Sequence, residues 1–538
     1  MNGLIMDYQL NIPAILRRAE QLYAGKEIAS RQLDKSFHRY TYGEFAARAK
    51  KLASAFRKLG VDDGARVATL CWNHYQHLEV YFGAPLSGNV VHTLNLRLHP
   101  SDLAYIANHA EDRVLVVDQS LLPLYDAIKG NVGFEHVVVV NGDGPEGTIA
   151  YEDLLATGDD AFEPEDVDER AAAVMCYTSG TTGQPKGVLY SHRAIALHSL
   201  ASTQSGTLGL NEADTTLPVV PMFHANAWGF PFTCTLVGAK QVFPGPHMDP
   251  ASLLEALESE RVTVTAGVPT IWMGMLQILD AEPGKYDLSR VRSMIVGGSA
   301  APRAMIEGFQ ERHGLHVTHA WGMTEMAPLG TVSEMTSELQ QEPQDVQYGY
   351  RAKQGIPAPF VEIRARGPEG FVPWDGQSMG ELEVRGVWIA SGYYEDDTQA
   401  DRWTDDGWFK TGDIVTIDAR GYIEIQDRAK DLVKSGGEWI STVALENALM
   451  GHPAVAEAAV IAVPDEKWAE RPMGVLVLKE GAERPSDDEL RAFLAPSFAK
   501  WWLPDRFEVV DEIPKTAVGK FRKTALREQF SQTPAATA

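Results

Sequence analysis

The chain has 538 residues, 44% of them hydrophobic and 22% charged, which is too many for one core and ordinary for a multi-domain globular protein. A formal net charge of −25 and a pI near 5.0 exclude a general nucleic-acid binder, because neutralising phosphates takes a basic face. Cys71, Cys176 and Cys234 have no paired spacing, which argues against structural zinc. No leader-like segment or apolar run of about 20 residues is visible, so a cytoplasmic protein without an integral membrane segment is expected.

From the N-terminus, Thr41 followed by Glu44 and then by Gly60 predicts a capped amphipathic helix between them. Arg66–Cys71 and Arg113–Asp118 read as buried parallel strands separated by helical periodicity, the pattern of a doubly wound α/β unit. Ala171–Cys176 reads as a buried strand leading into a glycine- and hydroxyl-rich loop, and after that loop the pattern recurs: Ala194–Ser202 as a helix, Gln241–Phe243 as a strand, Pro250–Glu260 as a helix and Val262–Val268 as a strand. A second α/β unit is expected from these. From about 349 to 427, short alternating runs broken by Gly, Pro and Asp predict a small twisted antiparallel sheet or barrel. The remainder reads as a compact α+β domain with strands at Val455–Val463 and Gly474–Lys479 and a helix at Ser486–Leu494. The expected division is a domain over 1–427, a short hinge over 428–430 and a mobile α+β domain over 431–538.

The chemistry concentrates in a few clusters. Tyr177-Thr-Ser-Gly-Thr-Thr-Gly-Gln-Pro-Lys-Gly-Val188 offers the hydroxyls of Thr178, Ser179, Thr181 and Thr182, close-approach glycines at Gly180, Gly183 and Gly187, and the charge of Lys186. That is a phosphate-handling loop leaving a strand end, and its order is not that of a Walker A motif. Gly297-Gly-Ser-Ala300 brings backbone close to a flat ligand, and His319-Ala-Trp-Gly-Met-Thr-Glu325 adds an aromatic plane, a hydroxyl and a carboxylate. Trp408-Phe-Lys-Thr-Gly-Asp413 places a carboxylate at a tight turn, suited to two vicinal hydroxyls. Lys430-Asp-Leu-Val-Lys-Ser-Gly-Gly-Glu-Trp439 and the lysine-rich Pro514–Lys523 lie beyond the boundary.

In this order, those clusters with the joint Asp427-Arg-Ala-Lys430 resemble the adenylate-forming superfamily of acyl-CoA synthetases, carrier-protein adenylation domains and firefly-type luciferases, over roughly residues 40 to 527. Val219-Val-Pro-Met-Phe-His-Ala-Asn-Ala-Trp228 and Ser435-Gly-Gly-Glu-Trp-Ile-Ser441 are most similar to fatty-acyl and short- or medium-chain acyl-CoA ligases, including those acting on methylmercaptopropionate. The resemblance implies two doubly wound α/β subdomains plus a small β-barrel, a rotating C-terminal domain, and two steps. A carboxylic acid and ATP give an acyl-adenylate and pyrophosphate; CoA thiol then displaces AMP. An aryl acid such as cinnamate or benzoate, a luciferase-like oxygenation, and delivery to a separate carrier protein stay open, as does a homodimer.

The same resemblance assigns roles. Lys520 would bridge the carboxylate and α-phosphate, and Lys430 would be the pivot. The loop hydroxyls and Lys186 would grip the β- and γ-phosphates, with Mg2+ on Thr178 and Glu325. The nucleotide would further meet Gly298, Ser299, Ala300, His319, Ala320, Trp321, Gly322, Met323, Thr324, Asp413 and Arg428. CoA would pass Lys434, Ser435, Gly436, Gly437, Glu438 and Trp439. The acyl pocket would comprise Phe223, His224, Trp228, Gly297 and Gly322, with His224 orienting the carboxylate. Trp321 stands where the family more usually has tyrosine, preserving stacking while losing the phenol's hydrogen bond. Lys430 stands where aspartate is frequent.

Overall fold

Thr41 caps the helix Tyr42–Lys58 through the reciprocal pairing its sequence predicts: the Glu44 amide donates to the Thr41 hydroxyl oxygen at 3.3 Å, and the Thr41 amide donates to the Glu44 carboxylate at 2.7 Å. The computed structural model describes the chain apart from residues 2, 179–183, 430, 436–437, 466, 516–520 and 531–538, and apart from the Glu438 side chain.

The described strands form four sheets. In the seven-stranded sheet the spatial order is Ile149–Ala150, His136–Val140, Asp112–Asp118, Arg66–Leu70, Val90–Thr93, Ala172–Tyr177 and Gly187–Ser191, all parallel until the last pair, which is antiparallel. Continuous Val and Ala runs, buried on both faces, are what a parallel sheet under helices demands. The nine-stranded sheet carries the second α/β unit. Its parallel centre is Thr215–Pro218, Val264–Gly267, Ser293–Val296 and Val317–Gly322. It also recruits Glu27–Arg31 and Phe37–Thr41 from the start of the chain, Glu27–Arg31 lying parallel to Lys240–Phe243 with Ile28 opposite Gln241. The two α/β units are therefore interleaved in sequence.

The small barrel expected over 349–427 is a five-stranded antiparallel sheet instead. Its order runs from Gly370–Phe371 through Val361–Gly367, Gly380–Gly386 and Phe409–Ile417 to Ile423–Arg428, and its two edge strands do not pair with each other, so no barrel closes. Beyond it, Val433–Ser435, Glu438–Ile440, Val455–Asp465, Ala469–Leu478 and Arg506–Val509 form a further sheet. This sheet packs with helices Thr442–Met450, Asp487–Leu494 and Lys523–Phe530, around cores that include Leu445, Val460 and Phe507 on one side and Ile461, Val475 and Leu526 on the other. Helix Thr442–Met450 is tied to Ile423–Arg428: the Thr442 hydroxyl and amide donate to Asp427, and Ser441 donates to the Gln426 carbonyl. Among the described residues no helix is long and apolar enough to cross a membrane.

Candidate active site

The phosphate loop is the tip of a hairpin. Ala172–Tyr177 and Gly187–Ser191 pair with Tyr177 opposite Gly187, and the Thr178 amide donates to the Lys186 carbonyl at 2.9 Å. The Lys186 amide donates to Thr178 Oγ1 at 3.1 Å. These bonds fix the feet of the loop; Ser179, Gly180, Thr181, Thr182 and Gly183 lie outside the described residues. Lys186 Nζ donates to Gln399 Oε1 at 2.5 Å and stands 5.1 Å from the centre of the Tyr393 ring. Burial, then the neighbouring Arg402 charge, pull its pKa down. Tyr393 donates through its hydroxyl to Glu325 Oε1 at 2.6 Å, and burial together with that carboxylate pushes the phenol's pKa up. Tyr393 thus links the loop's lysine to the one carboxylate expected to hold metal. The sequence reading missed it, because a tyrosine pair in an acidic stretch reads as plain loop.

Thr178, Lys186, Thr324 and Glu325 line one wall of a cavity of about 1500 Å³, together with His224, Trp228, Gly297 and Met323. Its lining includes the aliphatic side chains of Leu208, Val219, Val220, Val268, Ile271 and Ile295. Phe223, expected in the acyl pocket, is buried and does not line the cavity; Phe230 packs into the core. The turn carrying Trp228 is left-handed over a run of residues, with φ of 44° at Ala225, 55° at Asn226, 49° at Ala227, 55° at Trp228 and 79° at Gly229. Each non-glycine residue there costs roughly 1–2 kcal/mol, so packing must enforce the turn. The Trp228 ring lies against Gly297, where an added Cβ would stand 3.0 Å from the ring's Cη2 and 2.8 Å from the Ala320 carbonyl oxygen.

A second cavity, of about 1010 Å³, gathers Ser299, Ala300, His319 and Asp413, and shares Gly298, Ala320, Trp321, Gly322 and Arg428 with the first. Asp413 does not sit on the tight turn expected of it. It lies within the strand Phe409–Ile417, opposite Arg428, and Gly412 beside it takes φ of 77° without reversing the chain. Its buried carboxylate is held on both oxygens, by Arg428 Nε at 2.8 Å and by the Trp321 indole N–H at 3.1 Å. Tryptophan at 321 therefore still donates a hydrogen bond, through its indole N–H to Asp413. His319 is tied to the Ala352 carbonyl at 3.0 Å, and burial lowers its pKa to about 4.

From the far side, Lys515, Phe521, Arg522 and Lys523 line the larger cavity, flanking the segment that contains Lys520; Lys520 and Lys430 lie outside the described residues. Lys523 is anchored to Glu446 at 2.7 Å and to the Thr442 hydroxyl. Of the residues expected to meet CoA, the described side chains of Lys434, Ser435 and Trp439 do not line either cavity. Lys434 is exposed with its amide on Glu470, Ser435 accepts from Arg471 at 3.2 Å, and Trp439 pairs across the hairpin with Lys434, while Gly436 and Gly437 are outside the described residues.

A hairpin with a lysine foot and a buried carboxylate share a cavity with several aliphatic side chains, and a second cavity adjoins it through Gly298, Trp321 and Arg428. The family model described as "AMP-binding enzyme" matches residues 16–394, and that of its C-terminal domain matches 444–520. The chain belongs to the AMP-binding enzyme family. It is 50% identical to a long-chain-fatty-acid–CoA ligase of Thermus thermophilus over 98% of this chain and 96% of the relative. It is 43% identical to a 3-methylmercaptopropionyl-CoA ligase of Ruegeria lacuscaerulensis over 98% and 99%. Among solved structures, an anthranilate CoA ligase in complex with anthranoyl-AMP superposes with a TM-score of 0.87 at 27% identity, covering 100% of both chains. This AMP-binding enzyme is an AMP-forming acyl-CoA synthetase.

Proposed function

We propose that the enzyme activates a short- to medium-chain aliphatic or fatty acid, methylmercaptopropionate among the candidates, and transfers it to CoA with release of AMP. The carrying observation is the lining of the larger cavity, which holds branched aliphatic side chains together with Lys186, Glu325 and residues on either side of Lys520 in sequence. An aryl acid would call for a flat slot of Phe223, Phe230 and Trp228; Trp228 lines the larger cavity, whereas Phe223 and Phe230 are buried away from it, which favours the aliphatic reading. The relatives named as fatty-acid and methylmercaptopropionyl ligases support the same class.

A carboxylate is a poor nucleophile toward an anionic triphosphate, so the residues must neutralise charge and fix in-line geometry. Lys186 and the hairpin hydroxyls take the outer phosphates. Asp413, oriented by Arg428 and Trp321, accepts from the ribose hydroxyls, and His224 orients the acid. Lys520 supplies positive charge where the carboxylate meets the α-phosphate. Glu325 and Thr178, which line the same cavity, would hold a Mg2+ ion whose remaining ligands come from the nucleotide's oxygens. That ion would lower the charge on the phosphates. Residues 428–430 serve as the hinge of a C-terminal domain that turns to present Lys434 to Trp439 to CoA.

The test is a panel of carboxylic acids with ATP and magnesium, following pyrophosphate with and without CoA, and AMP against ADP. Saturated aliphatic acids should release pyrophosphate and give a thioester. A panel in which only aryl acids react, or in which ADP forms, would overturn the proposal.

A further inference from the structure

The segment 218–229 that floors the cavity is gripped by two side chains that do not line it. Asn73 follows the strand Arg66–Leu70 and is 1% exposed. Its side-chain oxygen accepts from the Met222 amide at 2.7 Å, and its NH2 donates to the carbonyls of Pro218 at 3.1 Å and Val220 at 3.0 Å. Both amide hydrogens and the carbonyl of Asn73 are thereby used on one stretch of backbone. Tyr81, fully buried on the helix Tyr75–Leu86, donates its hydroxyl to the Met222 carbonyl. The same hydroxyl lies 3.4 Å from Asn226 Oδ1, which also accepts from the Cys176 thiol at 3.2 Å. Asn73 and Tyr81 belong to the first α/β unit and the gripped segment to the second, so this is the point where one unit dictates the backbone of the other.

Immediately downstream comes the left-handed run Ala225–Trp228. A run of that kind persists only where its surroundings over-determine it, and Met222, held at both its amide and its carbonyl, is the fixed point from which it starts. The run delivers the Trp228 ring onto Gly297. We infer that Asn73 and Tyr81 are positioning residues for acyl specificity: by pinning Met222 they hold the turn that keeps Trp228 on Gly297, and so set how far an acyl chain enters. This rests on the ligase reading above. With the grip loosened, the turn relaxes toward ordinary backbone angles, the indole withdraws and the pocket lengthens. The nucleoside recess, built on Val317–Gly322 and Phe409–Ile417, makes no use of either side chain.

The decisive variant is Tyr81→Phe, which keeps the ring and deletes the hydroxyl; Asn73→Ala removes all three of its bonds. Pyrophosphate release is measured for saturated acids from acetate to palmitate, with KM for acid and for ATP obtained separately and melting followed alongside. The preferred acid should lengthen by about two carbons and the KM of the original optimum rise about fivefold, with KM for ATP within about twofold of the parent. A folded Tyr81→Phe enzyme whose chain-length profile superimposes on the parent overturns the inference. So does a parallel rise in both KM values with a lowered melting temperature, the mark of a purely structural role. If Asn73→Ala does not fold, Tyr81→Phe decides alone. Parent enzyme releasing no pyrophosphate with any acid overturns the ligase reading, and this inference with it.

Discussion

At Gly322 the backbone leaves no room for a side chain, since an added Cβ would lie 1.9 Å from the Pro328 carbonyl oxygen. Neither backbone segment can yield without moving Trp321 or Met323, so Gly322→Ala should destabilise by about 1–3 kcal/mol and lower activity, read by thermal melting beside pyrophosphate release. A variant with parental melting would show that the turn can open. Lys520 carries the opposite kind of prediction, a chemical effect with little structural cost. Lys520→Ala should lower adenylation about a hundredfold or more, about 3 kcal/mol of transition-state stabilisation, with melting unchanged. An equal loss in the thioester-forming step, started from preformed acyl-adenylate, would argue against a role confined to the first step. Residue types were the most legible feature of the site: Lys186, Glu325 and Asp413 could be picked out because hydroxyls, glycines and charges cluster near them. What each touches was not. The bond from Trp321 to Asp413 joins positions 92 apart, and Tyr393 gains its meaning only by meeting Glu325 across 68 residues.

Among the elements, local rules were readable almost to the residue. The capping box at Thr41 depends on neighbours three positions apart, so the sequence contains the whole interaction. Thr41→Ala should therefore cost about 1 kcal/mol, seen as a drop in melting temperature without change in either KM; a drop beyond about 3 kcal/mol would mean that Thr41 also supports the edge strand it ends. Helices Pro250–Ser259 and Asp487–Leu494 were legible for the same reason, each starting at a side-chain cap. Sheet membership was legible for Arg66–Leu70 and Asp112–Asp118, which pair in parallel as expected, but not for the strands at the start of the chain. Glu27–Arg31 joins a partner more than two hundred residues away, a pairing chosen by tertiary packing and not by its five residues. Gly412 misled because a glycine beside an aspartate signals a turn, whereas here its positive φ only bends a strand.

For the whole molecule, four deeply buried histidines contribute to the response to acid. Burial lowers the pKa of His77 to about 3 and those of His192, His198 and His319 to about 4. His192 and His198 each accept a backbone amide proton, which only a neutral ring nitrogen can do. With folded values below the unfolded value of about 6.5, their contribution is present above that pH and is lost as pH falls toward 4, at up to about 1.4 kcal/mol per pH unit for each. Glu446, raised to about 7 by burial against the pull of Lys523, acts in the other direction, as do Glu79, Asp112, Glu334 and Asp427, which burial also raises. Denaturant midpoints should therefore fall steeply between about pH 6.5 and 4, and a flat profile would mean that these rings are protonated in the fold.

The cavity's lysines and arginines have a kinetic counterpart in the acidic exterior. A nucleotide approaching a body of net charge −25 is repelled at long range and meets Lys186, Arg402 and Arg428 only at the end of its path. Added salt screens the distant repulsion over a Debye length of about 10 Å at 0.1 M, and acts less on contacts inside the cavity. Nucleotide capture should thus accelerate as ionic strength rises from about 10 to 100 mM, the reverse of an enzyme whose whole surface attracts its substrate, and stopped-flow binding would register the sign directly. The enzyme reaches its anionic substrate through a barrier, and dissolved ions lower it.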